Sequence, residues 1–245
     1  MAKFQKIDLH MHTLDDPMDP HVWHTARELI DKAAGLGFTV LAITLHTRQF
    51  ENDDITAYAA ERGILLLPGV EQDVEGYHVL LINFPREVAD GIRTFSELAD
   101  AKALWGDHGM ILAAHPFYPN GICLKEKLFK HSDLFDAVEI SGFYHRFWDP
   151  NQKAVAAARQ LDLPLIGNSD THTLEQFGTI WTEVEAESNP AAILRALKEG
   201  KGRVRSRRLR WNEMAVITYK VVARGYMPWI DYKKQRGLAT RLRQH

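Results

Sequence analysis

The sequence has only one cysteine and no long run of apolar residues. Cys123 is the single thiol among 245 residues, which excludes an intramolecular disulfide and a zinc cage built from cysteines. Such sparing use of cysteine is typical of a reducing compartment. No apolar run approaches the roughly 18 residues that span a bilayer, and the N-terminal stretch MAKFQKIDLH lacks the apolar core of a signal peptide. We therefore expect a cytoplasmic protein with no membrane attachment.

Linker-like segments rich in glycine and serine or in proline are also lacking. Hydrophobic residues make up 45% of the chain and charged residues 25%, which is typical of a globular protein. The net charge of −2 conceals an asymmetry, because residues 201–245 carry +11 and the remainder −13. We predict a folded body over residues 1–200 and a basic C-terminal extension over 201–245. The extension is expected to pack on the acidic body or on a partner subunit, with nucleic acid or another anion as the alternative target.

Short apolar runs alternate with amphipathic segments along the body. Asp19 and Pro20 are favoured residues for a helix start, and apolar residues at helical spacing follow them until Gly35. The runs predict strands over 6–12, 38–45, 64–67, 77–84, 110–114, 135–140 and 163–167. Strands that alternate with helices favour a parallel sheet, and about seven of them predict an α/β fold whose sheet closes, or nearly closes, into a barrel.

Polar side chains stand at the carboxyl ends of these strands. They are His10, His12, His46, Glu71, His115, Glu139, Asp170 and His172. In a barrel such ends converge on one rim, where active sites are built. A group of buried imidazoles and carboxylates is unfavourable unless it binds cations, so the pattern predicts a metal site.

The spacing of four of these residues strengthens the metal prediction. His10 and His12 lie two positions apart, so both imidazoles face the same side of a strand. Asp170 and His172 repeat this geometry after the last predicted strand. A single His-x-His pair is a weak signal, but its combination with Asp-x-His and the other strand-end residues favours chelation.

The order of motifs identifies a resemblance to a known family. The stretches IDLHMHT, AITLHT, PGVEQDV, YHVLLINF, AAHPF, VEISG and GNSDTHT resemble, in order, the motifs of the PHP (polymerase and histidinol phosphatase) superfamily of metal-dependent phosphoesterases, over about residues 5–200. The resemblance implies a distorted (β/α)7 TIM-like barrel with two or three divalent ions on its rim. The implied metal ligands are His10, His12, His46, Glu71, His115, Asp170 and His172, with Glu71 as the bridging carboxylate.

Two departures from the family pattern affect the expected ligands. Leu45 precedes His46 where the family usually has an aspartate, so we expect metal binding to survive with changed surroundings. The stretch after His12 is shortened, which leaves either Asp15 or Asp16 as a ligand and assigns Asp19 to the helix cap.

Several further residues are candidates for substrate contact. His78 opens the fourth predicted strand and is either a ligand, a phosphate contact or a core histidine. Arg48, His145 and Arg146 follow rim strands, and each is either a phosphate contact or a solvated loop residue. Glu139 is expected either to hold a metal-ligating side chain in position or to have a purely structural role. His21 and His24 are assigned no chemistry.

The resemblance implies metal-dependent hydrolysis of a phosphate ester, most simply a small phosphomonoester. Oxygen and nitrogen donors without a thiolate suit Mn²⁺, Zn²⁺ or Fe²⁺, and the ions would activate water. His115 or His172 would then protonate the leaving oxygen. The alternatives are a 3'-5' exonuclease-like phosphodiesterase acting on nucleic acid, and a degenerate metal-binding scaffold without activity. The sequence leaves the substrate, the metal and the oligomeric state open.

Overall fold

The structure is a computed structural model that describes residues 2–223. Within this range the chain forms one nine-stranded sheet surrounded by helices, which confirms the predicted α/β barrel class. The strands are β1 (Lys3–Asp8), β2 (Val40–Ile43), β3 (Leu65–Val74), β4 (Tyr77–Ile82), β5 (Met110–Ala113), β6 (Ala137–Ser141), β7 (Leu165–Asn168), β8 (Ile180–Ala186) and β9 (Arg203–Ser206). The helices are α1 (Ala26–Gly35), α2 (Asp53–Glu61), α3 (Arg86–Gly91), α4 (Phe95–Trp105), α5 (Glu126–Lys130), α6 (Asn151–Leu161), α7 (Pro190–Lys198) and α8 (Trp211–Ala223), with a 3-10 turn at Ser132–Leu134.

The sheet is mixed rather than parallel throughout, which corrects the prediction. Its order is β7-β6-β5-β4-β3-β2-β1-β8-β9. The pairs β1–β2, β2–β3, β5–β6 and β6–β7 are parallel, whereas β4 is antiparallel to both neighbours. β3 and β4 form a hairpin whose turn, Glu75 and Gly76, has φ of 54° and 88°. Such a turn favours tight antiparallel pairing, and the apolar pattern of the strand carries no information about its direction.

The sheet nearly closes just beyond the carboxyl ends of β1 and β7. The amide of Asp170 donates to the carbonyl of His10 at 2.9 Å, and the amide of His12 donates to the carbonyl of Thr171 at 3.1 Å. Met11 and Thr171 are paired in parallel between these bonds. The first and last strands of the parallel set are therefore joined at the rim that carries the polar residues.

Alternate strand residues pack into separate apolar clusters. On β4, Leu80 and Ile82 join residues of β1, β5 and β7 and one face of α7, whereas Val79 and Leu81 pack beneath α3, α4 and α6. A third cluster lies under α1 and α2. Because neighbouring strand residues point to opposite faces, the barrel has an inner and an outer apolar layer, and only its rim is left for polar chemistry.

The first helix begins later than the sequence predicts. Thr25 caps α1: its side chain accepts from the amide of Glu28, whose carboxylate accepts from the Thr25 amide. This reciprocal capping box satisfies two free amides. The predicted start at Asp19 and Pro20 is wrong, and residues 13–25 form a loop over the rim.

Part of the C-terminal extension joins the body. β9 pairs antiparallel with β8, and Leu209 and Ile217 are buried. Arg205 forms an ion pair with Glu183 of β8 at 2.7 Å. The boundary near residue 200 stays a prediction, and residues 224–245 lie outside the described range. No helix between residues 2 and 223 is long and apolar enough to cross a membrane.

Candidate metal centre

The polar side chains at the strand ends meet at one rim of the barrel. The parallel strands end there, so residues just beyond β1, β2, β5 and β7 come together. β4 runs antiparallel and therefore begins at this rim, which brings its second residue, His78, into the group. The group, called here the rim cluster, comprises His10, His12, Asp16, Asp19, His46, Glu71, His78, His115, Asp170 and His172.

Glu71 lies at the middle of the rim cluster, within β3 rather than after it as predicted. Its Oε2 atom is 3.3 Å from His10 Nε2, 3.4 Å from His12 Nε2 and 3.1 Å from His46 Nε2. The other oxygen, Oε1, is 2.6 Å from His78 Nδ1 and 3.0 Å from His115 Nε2. The two oxygens of one carboxylate therefore face two different sets of imidazoles, which is the arrangement of a bridging ligand.

Asp170 completes the first of these sets. Its Oδ1 atom is 3.4 Å from His10 Nε2 and 3.5 Å from His12 Nε2, and those two nitrogens are 3.2 Å apart. Oδ1 is buried and has no hydrogen-bond partner. Donor atoms bound to one ion at about 2.0 to 2.2 Å lie about 3.0 to 3.5 Å apart. The unpartnered oxygen and this spacing fit a divalent cation.

Glu139 orients the imidazole of His10. The two residues are fully buried, and His10 Nδ1 donates to Glu139 Oε1 at 2.9 Å. Asn168 donates to the same oxygen at 2.8 Å, and the His115 amide donates to Oε2 at 2.7 Å. Glu139 thereby supports two rim residues, and a carboxylate behind a ligand imidazole is a common way to fix the ring.

Asp19 belongs to the rim cluster, so its predicted role as a helix cap is wrong. Its side chain is buried, and Oδ2 lies 2.8 Å from His172 Nε2 and 3.5 Å from His46 Nδ1. His21, which was assigned no chemistry from the sequence, stacks on His172 with ring centroids 5.3 Å apart. The Asp-x-His spacing of Asp19 and His21 was a signal that could have located both residues.

Burial distinguishes Asp15 from Asp16, the two alternative metal ligands after His12. Asp15 is exposed and accepts a hydrogen bond from Thr13 Oγ1 at 3.2 Å, so it lies outside the rim cluster. Asp16 is buried, with Oδ2 at 2.8 Å from His12 Nδ1 and 3.0 Å from His46 Nδ1.

Opposite charges stabilise the ionised forms of His172, Asp19 and Glu71. Burial lowers the pKa of His172, but the carboxylates of Asp19 and Asp170 outweigh burial and raise this pKa to about 9. Burial would raise the pKa of Asp19, yet the imidazoles of His46 and His172 lower it to about 2. Neighbouring imidazoles likewise hold the pKa of Glu71 well below its usual range against the effect of burial. Metal ions bind imidazoles and carboxylates in their deprotonated form, so they would displace these protons.

Two rim residues have a left-handed backbone conformation. His115 has φ of 25° and Asp170 has φ of 52°. Such values are uncommon for residues other than glycine and cost on the order of 1 to 3 kcal/mol each. Strain of this kind persists where the surroundings fix it, and it concentrates at functional sites.

The residues predicted to contact phosphate lie in different places. His78 is inside the rim cluster, next to Glu71. His145 is buried in the loop after β6, with its ring 3.9 Å from that of Trp211. Arg48 and Arg146 are exposed, and the guanidinium of Arg146 lies 5.4 Å from the ring centroid of Phe147.

A family comparison supports the resemblance seen in the motifs. Residues 148–201 match a family model described as PHP-associated. This match covers less than a quarter of the chain. The PHP match lies in the second half of the barrel, from the loop after β6 to the end of α7, whereas most of the rim cluster lies before it. The search of curated protein sequences found no match.

Three solved structures have a similar fold. PsfC from Pseudomonas syringae PB-5123 is 18% identical, with a TM-score of 0.60, and the match covers 91% of this chain and 98% of PsfC. A predicted metal-dependent phosphoesterase from Bifidobacterium adolescentis ATCC 15703 is 19% identical, with a TM-score of 0.51 and coverage of 71% and 90%. An amidohydrolase from Chromobacterium violaceum, with bound sulfate and no metal, is 20% identical, with a TM-score of 0.53 and coverage of 80% and 97%. At sequence identities this low, the similarity shows a shared fold only.

Proposed function

We propose that the chain is a metal-dependent hydrolase of phosphate esters and that its substrate is a small phosphomonoester. The observation that supports this most is the position of Glu71, whose two carboxylate oxygens face separate sets of imidazoles. Two ions about 3.5 to 4 Å apart that share a carboxylate suit the hydrolysis of phosphate esters. The phosphoesterase of similar fold supports the same reaction.

The donors divide into three groups around Glu71. His10, His12 and Asp170 lie on its Oε2 side, and His78 and His115 lie on its Oε1 side. Asp19 and His172 form a third group beside His46. We propose two or three divalent ions, of Mn²⁺, Zn²⁺ or Fe²⁺, because the donors are nitrogen and oxygen atoms. When bound, such ions supply a nucleophilic water at neutral pH and offset the charge of the phosphoryl oxygens.

His172 is the better candidate for the proton donor to the leaving oxygen. Its side chain is 22% exposed, against 7% for His115, so it can reach a substrate at the rim. Asp19 Oδ2 accepts from His172 Nε2 at 2.8 Å, which fixes the ring and favours the protonated form. A general acid must hold its proton at the working pH, and His172 meets that condition in a two-ion site, where no ion binds the third group.

Hydrolysis of an amide is a second candidate. One of the similar folds is an amidohydrolase, and the same donors could activate water for attack on a carbonyl carbon. The nucleic-acid alternative has less support within residues 2–223, because Arg205 and Arg207 of the basic extension are already paired with Glu183 and Glu213. A catalytically inactive scaffold would not need the strained backbone of His115 and Asp170 in the rim cluster.

The test is release of phosphate by protein that has been stripped with a chelator and reloaded with Mn²⁺, Zn²⁺ or Fe²⁺. The panel contains sugar, nucleoside and aryl monophosphates, a single-stranded oligonucleotide and an N-acyl amino acid. We expect metal-dependent hydrolysis of at least one monophosphate and none by the Glu71→Gln variant. Cleavage of the amide or the oligonucleotide alone would replace the proposal by the corresponding alternative. No cleavage with any metal would contradict an enzymatic function.

A further inference from the structure

Asp16 has more hydrogen-bond donors around it than a metal ligand could accommodate. Oδ2 accepts from His12 Nδ1 at 2.8 Å, from His46 Nδ1 at 3.0 Å and from the His46 amide at 3.0 Å. Oδ1 accepts from the amides of Met18 at 2.8 Å and Asp19 at 3.2 Å. A carboxylate has about four lone-pair positions. With five donors and a fully buried side chain, Asp16 has no free lone pair for a cation.

The same contacts determine which ring nitrogen of His12 and His46 carries the proton. A carboxylate only accepts hydrogen bonds, so both Nδ1 atoms must be protonated where they meet Asp16. In each ring this leaves Nε2 as the atom that can bind a cation. Both Nε2 atoms face Glu71 Oε2, at 3.4 Å for His12 and 3.1 Å for His46.

The residue before His46 does not supply this interaction. Leu45, directly before His46, is buried in the apolar cluster under α1 and α2, so it offers the imidazole no hydrogen bond. Asp16 is thirty residues away in sequence and reaches both rings from the loop over the rim. That loop is in turn fixed to Asp16 through the amides of Met18 and Asp19.

We infer that Asp16 is not a metal ligand but a positioning residue shared by His12 and His46. One carboxylate orients two imidazoles from different strand ends and presents both Nε2 atoms to the same side of Glu71. Asp19, whose carboxylate faces His46 and His172, is then the carboxylate of this loop available to a cation.

Metal binding of variants distinguishes a positioning residue from a ligand. Asp16→Asn should keep the number of Zn²⁺ ions bound at saturation and weaken their affinity about 10- to 100-fold, as expected when a residue behind a ligand is changed. Asp170→Asn, which replaces a facing carboxylate by a neutral amide, should lower the number of ions. Asp15→Asn, an exposed neighbour, is the matched control and should change neither. Loss of an ion from Asp16→Asn at saturation would overturn the inference.

A spectroscopic test needs no variant. In the Zn²⁺-loaded natural protein, the ¹⁵N imidazole spectrum should show protonated Nδ1 and metal-bound Nε2 for both His12 and His46. Metal-bound Nδ1 in either ring would overturn the inference. Both tests measure metal binding, so their outcome is separate from whether any phosphate ester is hydrolysed.

An independent observation concerns aromatic rings that continue from the rim cluster to the surface. The ring of Tyr118 lies edge-on to His115, with centroids 6.0 Å apart, and Trp148 lies edge-on to Tyr118 at 5.6 Å. Phe143 is 6.0 Å from Trp148. These residues lie in the loops after β5 and β6, at the rim.

Two outer rings are exposed on the loop after β6, Phe147 at 73% and Trp148 at 39%. Trp211, which is 63% exposed, begins α8, and its ring lies 6.2 Å from that of Phe147. The backbones of His145 and Trp148 donate to each other's carbonyls at 2.8 and 3.1 Å, and the Tyr118 hydroxyl donates to the Phe143 carbonyl at 2.9 Å. Contiguous exposed aromatic surface is typical of binding sites.

We propose that this aromatic surface receives an aromatic group of the substrate, so that the preferred monoesters are aryl or nucleoside phosphates. This inference rests on the proposed function. Two ring contacts, His115 to Tyr118 and Tyr118 to Trp148, would connect a phosphoryl group at His115 to Trp148. Edge-on or offset packing on such rings stabilises the binding of a planar group. Arg146, next to Phe147, adds a positive charge beside the surface.

The test compares phenyl phosphate with glycerol phosphate. Trp148→Ala should raise KM for phenyl phosphate about tenfold more than KM for glycerol phosphate, as expected for the loss of one aromatic contact. Trp105→Ala, a partly exposed tryptophan at the end of α4, is the control and should change neither. Equal effects on both esters would overturn the inference while leaving the proposed function intact. Hydrolysis of neither ester by the natural protein would contradict the proposed function and this inference together.

Discussion

Glu71 is the residue on which the rim cluster depends. The Glu71→Gln change removes a negative charge shared by two sets of imidazoles and adds an amide that would face nitrogen donors. We expect a loss of metal affinity greater than the 10- to about 100-fold typical of residues behind a ligand, with a parallel loss of activity. Equilibrium metal titration of the stripped protein measures it.

The matched control is Glu87→Gln, an exposed acid on α3. It changes the net charge by the same amount, so it corrects for any general electrostatic effect on cation binding. If Glu71→Gln bound metal as tightly as Glu87→Gln, the bridging role would be disproved.

Asp8 gives the metal-free protein a predictable pH dependence. Burial raises the pKa of this carboxyl to about 7, although the Ser169 and His10 amides partly stabilise its charge. Because the folded pKa lies above the unfolded one, the contribution of Asp8 to stability falls as pH rises from 3.8 to about 7. We expect the free energy of unfolding of Asp8→Asn to rise, relative to that of the natural chain, by about 1.4 kcal/mol for each unit that the pH increases in this window. Denaturant unfolding across the window checks this, and parallel pH profiles would contradict it.

Many rim residues could be predicted from the sequence, because side chains along a strand alternate between its two faces. His10 and His12, and likewise Asp170 and His172, lie two positions apart at strand ends, so their placement on one rim follows from the pleat. Asp19 was missed because Asp followed by Pro is also a favoured helix start. The competing signal, Thr25 with Glu28 three residues later, is a capping box and was present in the sequence.

At the scale of elements, the close approach of β7 to β8 and β9 can be tested by one methyl group. A Cβ on Gly167 would lie 2.5 Å from Val204 Cγ1 and 2.9 Å from Ile180 Cγ1. We expect Gly167→Ala to destabilise the fold by about 1 to 3 kcal/mol. Gly91→Ala, where nothing lies within 4 Å, is the control and should be neutral or slightly stabilising. Equal midpoints of thermal unfolding for the two variants would show that β9 does not pack here.

Element direction and pairing were the parts of the fold that sequence could not supply. The apolar run of β4 reads the same in either direction, and its reversal depends on the turn at Glu75 and Gly76. The reversed direction of β4 places His78 at the rim. The sequence had left the role of His78 open, and the sheet topology determines its position. β9 was not predicted, because it lies in the C-terminal extension, which the sequence distinguishes only by its positive charge.

At the scale of the whole molecule, metal binding should be coupled to protons. Burial lowers the pKa of His10, but the carboxylates of Glu139, Glu71 and Asp170 outweigh burial and hold this pKa well above its usual range in the metal-free protein. A cation requires the neutral imidazole, so binding at pH 7 should release protons, and apparent affinity should rise with pH. Calorimetry in two buffers of different ionisation enthalpy measures the protons released. Metal binding without proton release would contradict the protonated state of His10 in the metal-free protein.

The proposed role of Glu71 is to hold two divalent ions side by side, and Mn²⁺ electron paramagnetic resonance detects such a pair. Ions that share a carboxylate at about 3.5 to 4 Å are magnetically coupled. We expect a coupled spectrum when the stripped protein is loaded with Mn²⁺, and its loss in Glu71→Gln. A spectrum of isolated, uncoupled Mn²⁺ ions at saturation would contradict it.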